Sequence, residues 1–240
     1  MPNSEELINK VKSYNKFLNP VTLSKAYNFA VKAHENQKRD SGDPYSNHPI
    51  AVANILTELK LDSATIATGL LHDTIEDTHA TYETIKNEFG QEVADLVDGV
   101  TKISVFENQA TSTSKAENFR KLILATSKDI RVLLVKIADR LHNMRTINAI
   151  TKIEKRERIA KETMEIYAPL ADRMGMHRIR DELEDLSFEV LNNSARELIK
   201  NRLDEIKDDK VNSFNSISLE FSGLLNEHKI NAEIVGREKT

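Results

Sequence analysis

Four side chains in the segment His72-Asp73-Thr74-Ile75-Glu76-Asp77 could bind a cation or move a proton. If the preceding helix continues through this point, residues three and four apart share a face, which then presents one imidazole and three carboxylates. Like charges this close raise each other's pKa, so the cluster is costly unless it binds a cation. A solvent-exposed helix end is the alternative interpretation for these four residues alone.

A second polar group lies in "KIADRLHNMRT". Asp139, His142, Asn143 and Thr146 fall at intervals of three, one and three, which places them on one stripe of an otherwise apolar helix. A charged Asp on such a helix needs a partner. His48, in "SNHPI", stands where a loop meets a helix, and a capping or surface histidine is the alternative there.

Together these segments predict a metal site made of His48, His72, Asp73 and Asp139. Two imidazoles and two carboxylates from three helices suit a borderline ion such as Mn²⁺, Fe²⁺ or Zn²⁺ better than an all-oxygen Ca²⁺ or Mg²⁺ cage. Four protein ligands leave coordination positions for water and a phosphate oxygen, as metal-assisted hydrolysis requires.

The composition predicts that helices position these groups. The 240 residues contain seven Gly and five Pro, 5% aromatic residues and 30% charged residues, a balance typical of an all-α protein. Helical periodicity recurs along the chain, with Asp62 or Ser63 capping the helix that leads to His72, and Asp129 beginning the helix of Asp139. We expect Gly90 and Gly175 to end helices and Pro169 to bend one.

Three segments depart from this helical pattern. Residues 38–47 contain Gly42 and Pro44 and predict a loop. Residues 104–118 are polar, and we expect their first part to be a mobile loop, followed by a helix from residue 116. The end of the chain, "KINAEIVGREKT", alternates apolar and polar residues and predicts one strand, which would have to pair in a homo-oligomer or belong to a further domain.

Charge and composition exclude several classes of protein. The net charge of −4 argues against a nucleic-acid surface, which would be basic. No window is apolar enough to cross a membrane, and the first residues do not form a signal peptide. The absence of Cys excludes disulfides and thiolate metal sites and fits a reducing compartment, so we expect a cytoplasmic protein.

Five stretches together resemble the N-terminal hydrolase region of RelA/SpoT homologues, the long bifunctional (p)ppGpp synthetase/hydrolases. The likeness runs from about residue 22 to residue 192 and rests on "RDSGDPYSNHPIAVANIL", "LLHDTIEDT", "FGQEVADLVDGVTKIS", "KAENFRKLILATSKDIRVLLVKIADRLHNMRT" and "IYAPLADRMGMHRIRDELEDLSFEVLN". The pattern H…HD…D is the motif of HD-domain phosphohydrolases. The resemblance implies an HD-domain helical bundle at residues 1–195, with residues 196–240 as a helical linker and the first strand of a synthetase domain.

The resemblance also implies roles for single residues. His48, His72, Asp73 and Asp139 match the family's Mn²⁺ ligands, while Glu76 and Asp77 match a pair thought to act on the attacking water. The substrate-binding positions that match are Arg39, Ser41, Asn143 and Thr146, and Lys38 beside Arg39 is a further candidate. The expected substrates are ppGpp and pppGpp, cleaved to GDP or GTP plus pyrophosphate, and which of the two acids is the base stays open.

Two positions depart from the family's usual pattern. Asp40 follows Arg39 where many relatives carry a basic residue, so we expect weaker affinity for the anionic substrate, or more dependence on Lys38. Asp172 stands in "APLADR", where "APLAHR" is usual. Because the sequence stops at the resemblance to a first synthetase strand, we expect this chain not to make (p)ppGpp.

Two other functions remain open. One is an HD phosphohydrolase that acts on another nucleotide, since only the resemblance points to guanine. The other is a non-catalytic module that binds the alarmone and regulates a partner. Glu76 and Asp77 argue against the second, and Asp40 keeps it open.

Overall fold

The computed structural model describes residues 3–16, 18–109, 129–232 and 234, and within these it is all α, as predicted. An isolated antiparallel bridge joins Lys38 to Pro44, and a 3₁₀ turn spans Ile147–Ala149. The α-helices are α1 (Ser4–Lys12), α2 (Pro20–Ala33), α3 (Asn47–Glu58), α4 (Ser63–Leu71), α5 (Thr74–Asp77), α6 (Tyr82–Phe89), α7 (Gln91–Gln109), α8 (Ile130–Arg145), α9 (Ile153–Glu162), α10 (Ala168–Arg173), α11 (His177–Leu191) and α12 (Asn193–Glu227).

The predicted helix boundaries next to the site are confirmed. The carboxylate of Asp62 accepts hydrogen bonds from the backbone of Ala64 and Thr65 at 3.0 and 3.1 Å, which caps α4. Asp129 caps α8 in the same way, accepting from the Arg131 amide at 2.9 Å. Gly90 follows α6 with φ of +91°, a conformation that favours glycine.

Helix α4 is the central element of the fold. It packs against α2, α3, α7 and α8, and every residue from Thr65 to Leu71 is buried. Gly69 allows the close approach of α3, because a Cβ at this position would lie 2.5 Å from the Leu56 Cδ1 atom. A helix enclosed on all sides holds the residues that follow it, beginning with His72, in a fixed place.

The helix is interrupted at His72 and Asp73, so the condition under which the four residues would share one helix face is not met. Two side chains form hydrogen bonds with backbone carbonyls in the last turn of α4. The imidazole of His72 bonds the Gly69 carbonyl through Nδ1 at 2.9 Å, and the Thr74 hydroxyl donates to the Leu71 carbonyl at 2.6 Å. Such local bonds compete with the helical ladder.

The loop predicted at the start of residues 104–118 is also wrong. Helix α7 continues through residues 104–109, because its apolar stripe extends to Ile103, which is 2% exposed. The rest of that segment and the helix predicted from residue 116 fall within residues 110–128, outside the described residues.

Pro169, which the sequence predicts will bend its helix, follows a local departure from α-helical geometry. The residues just before it, Thr163–Tyr167, form a π-helical turn between α9 and α10. Proline lacks the N–H that an α-helix needs, and its ring collides with the carbonyl four residues earlier. The helix therefore widens into a π-helical turn before Pro169. Gly175, with φ of +73°, follows α10.

Residue contacts divide the chain into two units, 1–187 and 188–240. The second contains α12, in which several apolar side chains with described burial are exposed, Leu198 by 71% and Leu219 by 75%. The predicted terminal strand is absent from residues 229–232 and 234, and its other positions lie outside the described part. The oligomer contact and the division at residue 195 stay predictions. No helix in the described ranges is both long and apolar enough to cross a membrane.

Candidate active site

Four predicted donors from three parts of the fold come together. His48 lies in the first turn of α3, His72 and Asp73 follow α4, and Asp139 is on α8. The Nε2 atom of His48 lies 3.2 Å from Asp139 Oδ1 and 3.3 Å from His72 Nε2. Asp73 reaches His72 Nε2 at 3.1 Å and His48 Nε2 at 3.4 Å. The two histidines are 2% and 1% exposed, so this is a cluster of buried ionisable groups.

The charges of this cluster shift its pKa values strongly. Burial alone would lower the pKa of His72, but the Asp73 and Asp139 charges outweigh it and raise that pKa to about 9. Burial opposes ionisation of Asp139, yet Lys136 and the two histidines hold its pKa below the usual range. The pKa of Asp73 is lowered too, chiefly by His72, against the effect of burial. Without a metal, the carboxylates therefore hold a proton on His72.

The surroundings of the donors fit a divalent cation. One ligand atom each from His48, His72 and Asp139 lies within 4.8 Å of the others, and Asp73 adds a second carboxylate. Asp139 also accepts hydrogen bonds from Lys136 Nζ at 3.1 Å and Asn143 Nδ2 at 2.7 Å. Outer-shell bonds of this kind orient metal ligands.

The predicted acid pair lies on α5, beside the donors. Burial and the charges of Asp73 and Asp77 raise the pKa of Glu76, and Lys136 opposes them. A hydrogen bond from Ser104 acts on the same carboxyl group. Burial and the neighbouring carboxylates thus increase the proton affinity of Glu76.

Tyr45 is a site residue to which the sequence analysis gave no role. Its hydroxyl lies 2.9 Å from Asp73 Oδ2 and 2.8 Å from Asp77 Oδ2. Burial and these two carboxylates raise the pKa of Tyr45, so its hydroxyl remains protonated. The signal was its place three residues before His48, within the motif "PYSNHP".

A cavity of about 470 Å³ opens next to the donors and is lined by all five predicted substrate positions. Arg39 donates to Asn143 Oδ1 at 2.8 Å, and its guanidinium carbon lies 5.5 Å from the centroid of the Tyr45 ring. Thr146 Oγ1 is 3.5 Å from Arg39 Nη2, whereas the Ser41 hydroxyl bonds Asp43 at 2.7 Å. Lys38 is exposed on the same wall.

The same cavity is lined by further cations that had no role predicted from the sequence. Lys155 and Arg158, on α9, and Arg140, on α8, line the cavity together with Lys136. The sequence signal for Lys155 and Arg158 was the basic run "KIEKRER". Asp40 lies 3.8 Å from Lys155 Nζ, so the acidic departure in the loop faces a cation.

The sequence model of the HD domain family matches residues 26–177, a range that contains every predicted metal, catalytic and substrate-binding residue. The chain belongs to the HD domain family. This membership agrees with the helical fold and with the convergence of the H…HD…D donors.

Relatives of this HD chain carry RelA/SpoT names, which confirms the resemblance. It is 48% identical over 234 residues to a GTP pyrophosphokinase rsh of Brucella melitensis, covering 98% of this chain and 31% of that one. It is 48% identical over 217 residues to the bifunctional (p)ppGpp synthase/hydrolase SpoT of Escherichia coli, covering 90% and 31%. The chain thus spans about a third of the length of these curated relatives.

A solved structure is similar as well. It is described as a metazoan orthologue of SpoT that hydrolyses ppGpp, and it matches with a TM-score of 0.52 at 26% identity. The match covers 72% of this chain and 94% of that one.

Proposed function

We propose that this chain hydrolyses the 3′-pyrophosphate ester of ppGpp and pppGpp, giving GDP or GTP plus pyrophosphate. The observation that carries the proposal is the convergence of His48, His72, Asp73 and Asp139 at the edge of a basic cavity. The relatives named for (p)ppGpp hydrolysis support the choice of substrate.

The metal we propose is Mn²⁺, held by His48, His72, Asp73 and Asp139. When bound, such an ion supplies a Lewis acid for a phosphate oxygen and lowers the pKa of water. Nitrogen and oxygen donors in equal number suit Mn²⁺ better than Ca²⁺ or Mg²⁺. Lys136 and Asn143 keep the Asp139 carboxylate oriented.

The guanine nucleotide would lie against Arg39. The hydrogen bond to Asn143 and the contact with the Tyr45 ring hold the planar guanidinium in place, which suits stacking on a purine. Asn143 and Thr146 stand beside it, where base and ribose would lie. Lys38 and Ser41 belong to the same loop and would meet the nucleotide from its other side.

The cations of α9 would attract the diphosphate groups. The substrate is a polyanion, and Lys155 and Arg158 bring two positive charges to a cavity in a protein whose net charge is −4. Local cations of this kind allow a small anion to bind although the whole chain repels it.

Glu76 is the general base in this proposal. Its raised pKa brings its proton affinity closer to neutral pH, which is the condition for efficient proton transfer. A water oxygen attacks the phosphorus that carries the ribose 3′ oxygen, and Glu76 takes a proton from that water. The bond from phosphorus to the 3′ oxygen breaks, the 3′ oxygen regains a proton, and pyrophosphate leaves. Asp77, held by Tyr45, orients the water.

The test is product analysis on the purified chain with Mn²⁺. ppGpp should yield GDP and pyrophosphate in equal amounts, while GDP, GTP and ATP, which lack a 3′-pyrophosphate, should remain intact. Cleavage of those nucleotides, with ppGpp spared, would instead identify a different HD phosphohydrolase. Binding of ppGpp without any product would identify a regulatory module and contradict the proposal.

A further inference from the structure

A third imidazole lies behind the metal donors. The Nδ1 atom of His142, on α8, is 2.8 Å from the Nδ1 atom of His48, and the two ring centroids are 4.9 Å apart. His142 belongs to the polar stripe that the sequence predicts on α8, but it had no predicted role. It is half-buried and lines the same cavity as Arg39 and Asn143.

The geometry of His48 decides which of its nitrogens can bind a metal. Its Nε2 atom faces the other donors, at 3.2 Å from Asp139 Oδ1 and 3.4 Å from Asp73 Oδ2. A neutral imidazole carries one N–H and one lone pair. For the lone pair to lie on Nε2, the proton of His48 must be on Nδ1, the atom that His142 meets.

Two ring nitrogens 2.8 Å apart need one proton between them. With the proton of His48 on Nδ1, the Nδ1 atom of His142 must accept it through a lone pair. His142 then carries its own proton on Nε2, because a neutral ring has only one.

The other histidine donor, His72, shows the same arrangement with a different partner. Its Nδ1 atom lies 2.9 Å from the backbone carbonyl of Gly69, an atom that can only accept a hydrogen bond. Metal-binding histidines commonly donate their second N–H to such an acceptor, which fixes the tautomer. His48 instead uses a side chain, and that side chain can be replaced.

We propose that His142 is a positioning residue that accepts the Nδ1 proton of His48 and thereby aims the His48 Nε2 lone pair at the metal. This inference rests on the metal site of the proposed function. It assigns His142 an effect on metal affinity that acts through His48 alone.

The test compares an accepting and a non-accepting side chain at position 142, with Mn²⁺ as the probe. In His142→Asn the amide oxygen is attached to Cγ, as Nδ1 is in histidine, so a hydrogen-bond acceptor stays in place. His142→Phe keeps an aromatic ring at this position and removes the acceptor. Mn²⁺ affinity of the full chain is measured by the EPR signal of the free ion.

We expect His142→Phe to bind Mn²⁺ roughly 10–100-fold more weakly than the wild type, the range seen when an outer-shell partner is lost. His142→Asn should bind close to the wild type. The thermal unfolding temperature of each metal-free variant separates this effect from a general loss of structure. The rise in that temperature on adding Mn²⁺ should be reduced for His142→Phe alone.

Several results would overturn the inference. Wild-type affinity in His142→Phe shows that His48 needs no acceptor, and equal weakening in His142→Phe and His142→Asn shows a role other than accepting a proton. If His142→Phe does not fold, His142→Leu takes its place against the same Asn variant. A wild-type chain that binds no Mn²⁺ overturns the proposed metal site itself, whereas wild-type binding with an indifferent position 142 overturns only this inference.

Discussion

The hydroxyl of Tyr45 lies 2.8 Å from the carboxylate of Asp77, across 32 positions of the chain. The same oxygen is 2.9 Å from Asp73, so one phenol proton is shared between a proposed metal donor and a member of the acid pair. The Tyr45 ring stacks on His34 with centroids 4.7 Å apart, which limits its movement. Tyr45 therefore fixes α5 with respect to the metal donors.

Removing this hydroxyl should slow the reaction without releasing the metal. For Tyr45→Phe we expect kcat to fall roughly tenfold, equivalent to about 1.4 kcal/mol, because Asp77 loses the donor that orients it. Steady-state kinetics at saturating Mn²⁺ measure the effect. Tyr82→Phe is the matched control, since that tyrosine bonds Asp95 at 2.7 Å outside the lining of the cavity. An unchanged kcat in Tyr45→Phe would contradict the positioning role.

Substitutions in the acid pair, Glu76 and Asp77, should lower the reaction rate without lowering metal binding. Glu76→Gln should keep Mn²⁺ and lose about 10²–10⁴-fold in rate, the usual contribution of a general base. Asp77→Asn should also keep the metal and lose less rate, because an amide still accepts the Tyr45 hydrogen bond. Single-turnover rates and metal content per chain test both variants. Loss of metal from either would make that residue a ligand instead.

The parts of the site that follow from local chemistry were predictable. Helix periodicity and the caps at Asp62 and Asp129 place His72 and Asp73 just after α4 and Asp139 within α8, where the structure has them. His48, His72 and Asp139 could be grouped because few other residues in apolar helices carry such side chains.

The remaining features could not be predicted from residue spacing, because they depend on packing or on hydrogen bonds between side chains and other groups. The break after Leu71 has no Gly or Pro signal, since it arises from bonds made by His72 and Thr74. The contact of His48 with His142 joins residues 94 positions apart and exists only because α3 packs on α8. The cations of α9 had no role predicted from the sequence, because only the fold places Lys155 and Arg158 at the cavity.

Metal affinity should rise with pH. Since Asp73 and Asp139 raise the pKa of His72 to about 9, that ring holds a proton at neutral pH, and Mn²⁺ must displace it. Releasing one proton gives about a tenfold gain in affinity per pH unit below that pKa. Titrations from pH 6.5 to 8 test the slope. An affinity that does not vary over this range would show that His72 is already neutral.

Replacing Asp40 with a basic residue should change the KM for ppGpp through the charge of the side chain. Its ion pair with Lys155 joins side chains that are 61% and 50% exposed, so it adds little to stability. Asp40→Lys should lower KM for ppGpp roughly fivefold, equivalent to about 1 kcal/mol, and the gain should shrink with added salt. Glu83→Lys makes the same change of charge on α6, away from the cavity, and is the control. Equal KM in Asp40→Lys and wild type would show that the loop does not meet phosphate.

The most direct single measurement is pyrophosphate release from ppGpp by the wild-type chain and by Asp73→Asn, each with Mn²⁺ and with a chelator. Asp73 contacts both histidine donors, so its replacement disrupts the proposed centre at its middle. We predict release by the wild type with Mn²⁺ and none in the other three conditions. Release by Asp73→Asn, or by the wild type in chelator, would contradict a metal-dependent hydrolase centred on these four residues.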